Sequence, residues 1–315
     1  GGMSSNSLRM EKEDGKQYIL RSVNKDYRKL LPSSLSSSVL VDIMQDQNSA
    51  SHPYGALVIP TLSEVAGVYY TSPELVFLKH QKGLGNYNSQ FPQELYLLEQ
   101  RPSGDWSDAE QFGNSDKIIS YSDLLASLRE KKTYFIDQQW VCKSRLFDLF
   151  IHDWDRHDDQ WRWATFKEND QTICRPIPRD RDQAFFKFKG LVPSYLANFI
   201  AKQLKTMKHD VKDVKYLSLN ARFFDRHFLN ELEWKDWEKE ITSLQEKLTD
   251  QEIDAAMAAF PTEIIGNENI QLAQVLKSRR DNMLSYARKL YDYLAEEVDI
   301  TGTDHKDIFH ITTTP

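Results

Sequence analysis

The stretch from Phe147 to Phe186, FDLFIHDWDRHDDQWRWATFKENDQTICRPIPRDRDQAFF, constrains this chain more than any other. An apolar run ends abruptly in Asp153, Asp155, Arg156, His157, Asp158, Asp159 and Gln160. Trp161 and Trp163 open a segment with the look of a polar hairpin, and a second cluster follows: Arg179, Asp180, Arg181, Asp182. Two aspartate clusters joined by a short hairpin suit phosphoryl transfer. One carboxylate orients an attacking hydroxyl while others hold the Mg²⁺ that neutralises phosphate charge. Taken singly, Asp153 or Asp158 is more simply a member of a solvated ion-pair network. Two clusters at this spacing, each following an apolar element, favour chemistry.

The first cluster resembles the Asp-Arg-His catalytic loop of atypical kinases, the phosphoinositide kinases and the secretory-pathway Golgi casein kinase among them. In the common kinase pattern a metal-binding Asn follows the catalytic Asp by five residues. Counting from Asp155, the fifth residue is Gln160. The second cluster, IPRDRDQAFF, resembles the Ile-Pro-Trp-Asp-Leu-Asp-x-x-Phe-Gly segment of the CotH spore-coat kinases, with Phe186 where that family carries Gly. The strand Gln17–Lys25 contains Tyr-Ile-Leu-Arg, similar to the kinase Val-Ala-Ile-Lys, so Arg21 stands in the lysine's place. The run Tyr96, Leu97, Leu98, Glu99 is similar to the strand end Tyr-Leu-Leu-x-Glu of the same family. The likeness spans about Gln17 to Gly190. It implies ATP and Mg²⁺ or Mn²⁺ as cofactors. Asp155 would orient the hydroxyl, with His157 bracing the loop. Asp180 would be the principal metal ligand, with Gln160 and Asp182 as further ligands, and Arg21 would meet the nucleotide phosphates. On the same likeness Asp42 or Asp46 would pair with Arg21, although both read more simply as polar-face residues of their helix. No glycine-rich loop precedes Arg21; Gly15 alone is nearby.

The expected fold is α+β: a two-lobed, protein-kinase-like arrangement with a small β-containing N-terminal lobe over residues 1–105 and a mainly helical C-terminal lobe over residues 106–315. Hydrophobic periodicity supports that division. Glu94–Arg101 alternates as a strand, and a helix ending at Gly67 precedes another strand before Leu78. Tyr121–Leu128 and Asp137–Ile151 carry helical spacing. After Gly190 the pattern is helical over Val192–Gln203, Ser218–Leu232, Trp234–Leu248, Asp250–Phe260 and Ile270–Glu297. A second Asp-Arg-His string, Asp225, Arg226 and His227, lies inside such a pattern and reads as a structural ion pair or cap. Val298–Ile311 reads as strand-like around a turn, leading into a further domain.

Charge and composition narrow the function classes. Forty-seven acidic against 40 basic residues in a chain of 315 argue against a dedicated nucleic-acid binder. No run of about eighteen apolar residues is present to span a membrane. Cys142 and Cys174 make no disulfide framework. Gly1 and Gly2 ahead of Met3 read as a cloning remnant, so the chain is expected to be part of a longer protein. The leading expectation is a kinase acting on a protein or small-molecule hydroxyl. The alternative is a catalytically inactive, pseudokinase-like interaction module of a larger cell-envelope protein, supported by Gln160, Arg21 and the missing glycine loop. A metal-dependent phosphodiesterase or nuclease using His152 and His157 ranks last. The CotH resemblance implies an extracytoplasmic location.

Overall fold

The computed structural model describes residues 6–24, 54–187, 205–264 and 266–310. Strands β1 (Ser7–Glu11) and β2 (Gln17–Ser22) form an antiparallel hairpin. It turns at Gly15, whose φ of 81° suits a residue without Cβ. Helix α1 (Ile59–Ala66) starts with Pro60 in its first turn, where the missing N–H costs nothing. It stops at Gly67 in the left-handed conformation. Strands β3 (Glu74–Phe77) and β4 (Leu95–Gln100) complete a four-stranded sheet in the order β1-β2-β4-β3. Tyr18 pairs with Gln100 and Arg21 with Leu97, so the two strands expected to share a sheet do so. Alternation sorts the faces. Leu20 and Tyr96 close over Phe91 on one side, while Ile19, Arg21 and Glu99 point to the other.

A second sheet is built on the segment of the two aspartate clusters. Strand β5 (Ile118–Ser120) runs directly into helix α2 (Tyr121–Glu130), capped reciprocally by Ser120 and Asp123. Strand β6 (Tyr134–Ile136) precedes helix α3 (Gln138–Phe150), whose first turn is capped by Asp137. Strands β7 (Trp161–Glu168) and β8 (Gln171–Pro178) pair as a hairpin closed at Asn169, φ 55°. The sheet order is β5-β7-β8-β6, with β6 parallel to β8. The two three-residue strands are too short to show alternation, and sequence patterning misses them.

The regular elements in the rest of the described chain are helices, including α4 (Val214–Leu217), α5 (Arg222–Phe228), α6 (Trp234–Lys247), α7 (Asp250–Ala256), α8 (Asn267–Asp281) and α9 (Met283–Ala295). The architecture is therefore α+β, with a small sheet first and a mainly helical remainder. Val141, Cys142, Leu146, Phe147, Leu149 and Phe150 on α3 are buried at the centre of the main core. Trp161 stacks on Phe224 at a centroid distance of 4.5 Å, fastening the β7 strand to α5. Both cysteines are buried thiols.

Three helical or strand expectations need correction. Ile270–Glu297 is two helices, broken at Asn282. There the sequence Lys277–Asn282 is polar, yet Arg279 is buried: it donates to the carbonyls of Phe150 (2.9 Å), Lys208 (3.0 Å) and Leu149. An arginine committed to the C-terminal end of α3 sits where a continuous apolar stripe was expected. Ser218–Leu232 is helical only over Arg222–Phe228. Residues 298–310 form no strand and are almost entirely exposed, because Ile300, Ile308 and Phe309 have no partner strand to cover them. The Val192–Gln203 helix, Asp42 and Asp46 lie outside the described residues. Among the described residues no helix is long and apolar enough to cross a membrane.

Candidate active site

The apolar end of α3 delivers the loop 151–160, and β8 delivers residues 179–186 beside it, because the β7–β8 hairpin returns the chain to its start. Arg179 N–H donates to the Gln160 carbonyl at 3.1 Å, which closes the hairpin at its root. Arg156 ties the two loops from within. Its guanidinium lies 3.2 Å from Asp153, donates to the side-chain oxygen of Gln160, and donates to the carbonyls of Arg179 (2.7 Å) and Asp180 (3.2 Å). Those last two bonds flank a left-handed residue: Asp180 has φ 61°. A non-glycine residue in that region costs on the order of 1 kcal/mol or more and persists only when its surroundings fix it. Arg156 supplies that fixing. Phe185 (φ 60°) and His152 (φ 61°) share the conformation, so three such residues cluster in these loops.

A buried lattice of charge supports the loops from below. Arg145 on α3 donates to Asp225 (2.6 and 3.1 Å) and Asp148 (2.8 Å). Asp148 also accepts from Arg181 (2.8 Å), whose other nitrogen reaches Ser63 Oγ on α1 at 3.0 Å. The second Asp-Arg-His string thus plays the structural part expected of it: Asp225 balances Arg145, and Arg226 pairs with Glu297. Arg181, from the middle of the second aspartate cluster, is an anchor for the loop.

Above this lattice sit the candidate functional groups. Arg21 on β2 forms ion pairs with Asp180 (2.5 Å) and Glu99 (3.1 Å). Arg21 and Glu99 are diagonal neighbours on one face of the sheet, since Arg21 lies opposite Leu97. Burial works against the Arg21 charge, but Asp180, then Glu99 and Asp182, hold its pKa above the ordinary value. Burial pushes the Glu99 carboxyl up, opposed by Arg21, and Thr71 donates its hydroxyl to it. The Arg21–Asp180 pair therefore joins the first sheet to the loop after β8.

Asp155 is half-buried beside them. Asn220 Nδ2 donates to its Oδ1 at 3.1 Å, and Gln160 Nε2 faces its Oδ2 at 3.5 Å. Burial raises its pKa to about 6; Arg156 opposes the shift, and the nearby charges of Asp182 and Asp180 add to it. Asp155, Gln160 and Asp180 thus converge on one place, with Asp182 in electrostatic reach. Gln160 offers its oxygen to Arg156 and its amide to Asp155. His157 is exposed, and its backbone carbonyl accepts from the Gln160 N–H at 3.0 Å. His152 is buried, its Nε2 bonded to the Lys205 carbonyl, and burial lowers its pKa to about 3, Arg279 adding to the effect. A neutral, enclosed imidazole of that kind faces the protein interior.

Three partners escaped sequence reasoning. Asn220 lies 65 residues from Asp155 in an irregular segment, and no local signal points to it. Arg156 sits in the cluster, but nothing in its spacing distinguishes a buried tie from a solvated charge. Glu99 carried a usable signal: a lone acid at an inward position of the apolar strand Leu95–Gln100.

No protein-family model matches the chain, and no curated protein matches its sequence. Among solved structures it is similar to one described as a Helicobacter pylori proinflammatory kinase, CtkA. The identity is 12% and the TM-score 0.44, over 92% of this chain and 94% of the other. A likeness at that level carries no argument about function, which rests on the geometry above.

Proposed function

We propose that the chain is an atypical, CotH-like kinase that moves the γ-phosphoryl group of ATP to a protein or small-molecule hydroxyl. The observation that supports it most is the Arg21–Asp180 ion pair set beside a carboxyl, Asp155, whose pKa is raised to about 6. A group with that pKa is ionised at neutral pH and still basic enough to take a proton. The acceptor hydroxyl would donate to Asp155 as its oxygen bonds to the γ-phosphorus and the bond to the bridging oxygen of the leaving ADP breaks. Asn220 and Gln160 would hold the two carboxylate oxygens in place, and Arg21 would turn from Asp180 toward phosphate oxygens.

The donor set fits a hard divalent cation, since the charges of Asp182 and Asp180 push Asp155 up and a shared cation would relieve that repulsion. Among the described residues no three His, Cys, Asp or Glu side chains form a ready metal cage. Asp180, with Asp182 and Gln160 as further ligands, would hold Mg²⁺ or Mn²⁺ jointly with the nucleotide's phosphates, a usual mode for Mg²⁺. Bound there, the metal would neutralise charge on the transferred group. His157 would steady the loop from outside. An extracytoplasmic location and additional domains go with the same reading.

A second reading, a pseudokinase-like interaction module, is favoured by the commitments of Gln160 to Arg156 and of Arg21 to two carboxylates. ATP titration with and without Mg²⁺ or Mn²⁺ separates the two. On the kinase reading Asp180→Ala abolishes metal-dependent ATP binding. Asp155→Ala keeps binding and slows transfer by about two to four powers of ten. Gln160→Asn is tolerated, while Gln160→Leu weakens metal binding. Wild-type protein that shows no metal-dependent ATP binding sinks the kinase reading and leaves the interaction module.

A further inference from the structure

Beside Arg21 the same cleft holds four more arginines that the phosphotransfer reading does not use. Arg9 on β1 lies opposite Ile19, and the backbone N–H of Arg101, just after β4, donates to the Gln17 carbonyl. Gln17 and Ile19 alternate onto the face of the sheet that carries Arg21, so Arg9 and Arg101 stand on that face too. Arg162 on β7 and Arg179 after β8 approach from the other side. Both donate to one acceptor, the Asp159 carbonyl, at 3.4 and 2.8 Å. Arg162 also donates to the Trp161 carbonyl at 2.8 Å, and Arg101 to the side-chain oxygen of Gln17. Among the described residues none of these four guanidiniums forms an ion pair with a carboxylate; the oxygens that Arg101, Arg162 and Arg179 do engage are neutral.

Such an arrangement is costly to leave alone. Burial works against the Arg101 charge, and the arginines lie close enough to repel one another. Arg9 acts on Arg101; Arg101 and Arg9 act on Arg162; Arg162 and Arg21 act on Arg179. Asp123, Asp159 and Asp180 are near enough to soften the repulsion without pairing. Nothing in the fold requires it: the buried lattice around Arg145 shows that this chain pairs its structural arginines with aspartates. Planar guanidiniums that converge from two sheets with donors to spare match an anion carrying several closely spaced phosphate oxygens.

We infer that Arg9, Arg101, Arg162 and Arg179 form a binding site for a polyphosphate chain, between the first sheet and the β7–β8 hairpin, which needs no metal ion. The site is adjacent to the Arg21–Asp180 pair and independent of phosphotransfer, because its recognition rests on arginine alone. Free inorganic polyphosphate and the phosphate tail of a nucleotide present the same chemistry to it.

The test is calorimetric titration at low salt, in the presence of a chelator, with inorganic tripolyphosphate, ATP and adenosine as separate probes. Tripolyphosphate is expected to bind, adenosine not, and added salt to weaken the binding. ATP binding as well assigns the site to nucleotide tails; tripolyphosphate without ATP assigns it to free polyphosphate. Arg101→Gln and Arg162→Gln should each weaken binding by about tenfold or more, the loss of a charge-assisted hydrogen bond. Thermal melting and circular dichroism establish that the variants fold. Should the buried Arg162→Gln variant fail to fold, Arg9→Glu on the exposed edge strand must give the same weakening. Wild-type protein that does not take up tripolyphosphate, adenosine bound as well as ATP, or folded variants with unchanged affinity would each overturn the inference. A chain that transfers phosphoryl groups with metal but ignores tripolyphosphate without it would keep the kinase reading and lose this one.

Discussion

Replacing Asp155 by Asn should make the protein more stable at neutral pH. The carboxyl is pushed from 3.8 to about 6, first by burial. A folded-state pKa above the unfolded one means that the folded state binds the extra proton between those two values. The charge is therefore a penalty, absent below about pH 3.8, growing through the interval, and complete above about 6. Roughly two pKa units at about 1.4 kcal/mol each put the penalty near 3 kcal/mol. Partial exposure and the residue's surroundings reduce it. Asn keeps an oxygen for Asn220, now 3.1 Å from Oδ1, but turns an amide toward the Gln160 amide, losing about 1 kcal/mol. Urea unfolding should show Asp155→Asn about 1–2 kcal/mol more stable than wild type at pH 7.5, with no advantage at pH 4. Asp153, buried against Arg156 and pushed up first by burial, is raised further by the Asp155 charge, so Asp155→Asn relieves it as well and adds to the gain in the same direction. A variant less stable at pH 7.5, or an offset equal at both pH values, would refute the account of Asp155 as a charge held at a cost.

Two more substitutions probe the frame around the site. Arg145→Met leaves Asp148 and Asp225 buried without their main counter-charge, so about 3–5 kcal/mol of stability should be lost, read as a lower urea midpoint with unchanged slope. Gly113→Ala should cost more than about 2 kcal/mol: φ is 71° and a Cβ would fall 2.1 Å from Tyr69 Oη and 2.9 Å from Phe166. Gly15→Ala is the control, with φ 81° and nothing within 4 Å, and should cost only about 1 kcal/mol. Equal melting temperatures for the two glycine variants would contradict the steric reading of Gly113.

What could be read from the sequence is what local chemistry decides. The β7–β8 hairpin is announced by the polar turn Lys167–Gln171 between tryptophan-rich and β-branched runs, and α3 by an apolar helical stripe behind Asp137. From the hairpin alone it follows that residues near 155 and 180 return to one place, because an antiparallel pair brings its two ends together. What could not be read is the choice of partner. A lone inward acid marks Glu99 within its own strand, but that it meets Arg21 follows from the β2–β4 register, a tertiary fact; Asp42 and Asp46 lie outside the described residues. The break at Asn282 is of the same kind, since Arg279 is buried by what it caps at the end of α3 and not by anything in its own helix.

The same distinction explains how a left-handed Asp180 and a raised Asp155 can coexist in a stable fold. Both are local violations: one costs backbone energy, the other electrostatic energy. Each is held by groups with no part in the proposed chemistry. Arg156 fixes the carbonyls on either side of Asp180, and Arg181 fastens the following residues to Asp148 and Ser63. Asp148 is in turn balanced by Arg145, and Arg145 by Asp225, so the loop's support extends through α3 to α5. Such a lattice contributes little net stability over a well-packed apolar one. Its directional bonds fix orientation, which an apolar contact supplies poorly. The arginines of the two aspartate clusters thus divide by depth. Arg156 and Arg181 are satisfied below the loops and set their shape, while Arg179, with Arg162 beside it, keeps its charge toward the cleft.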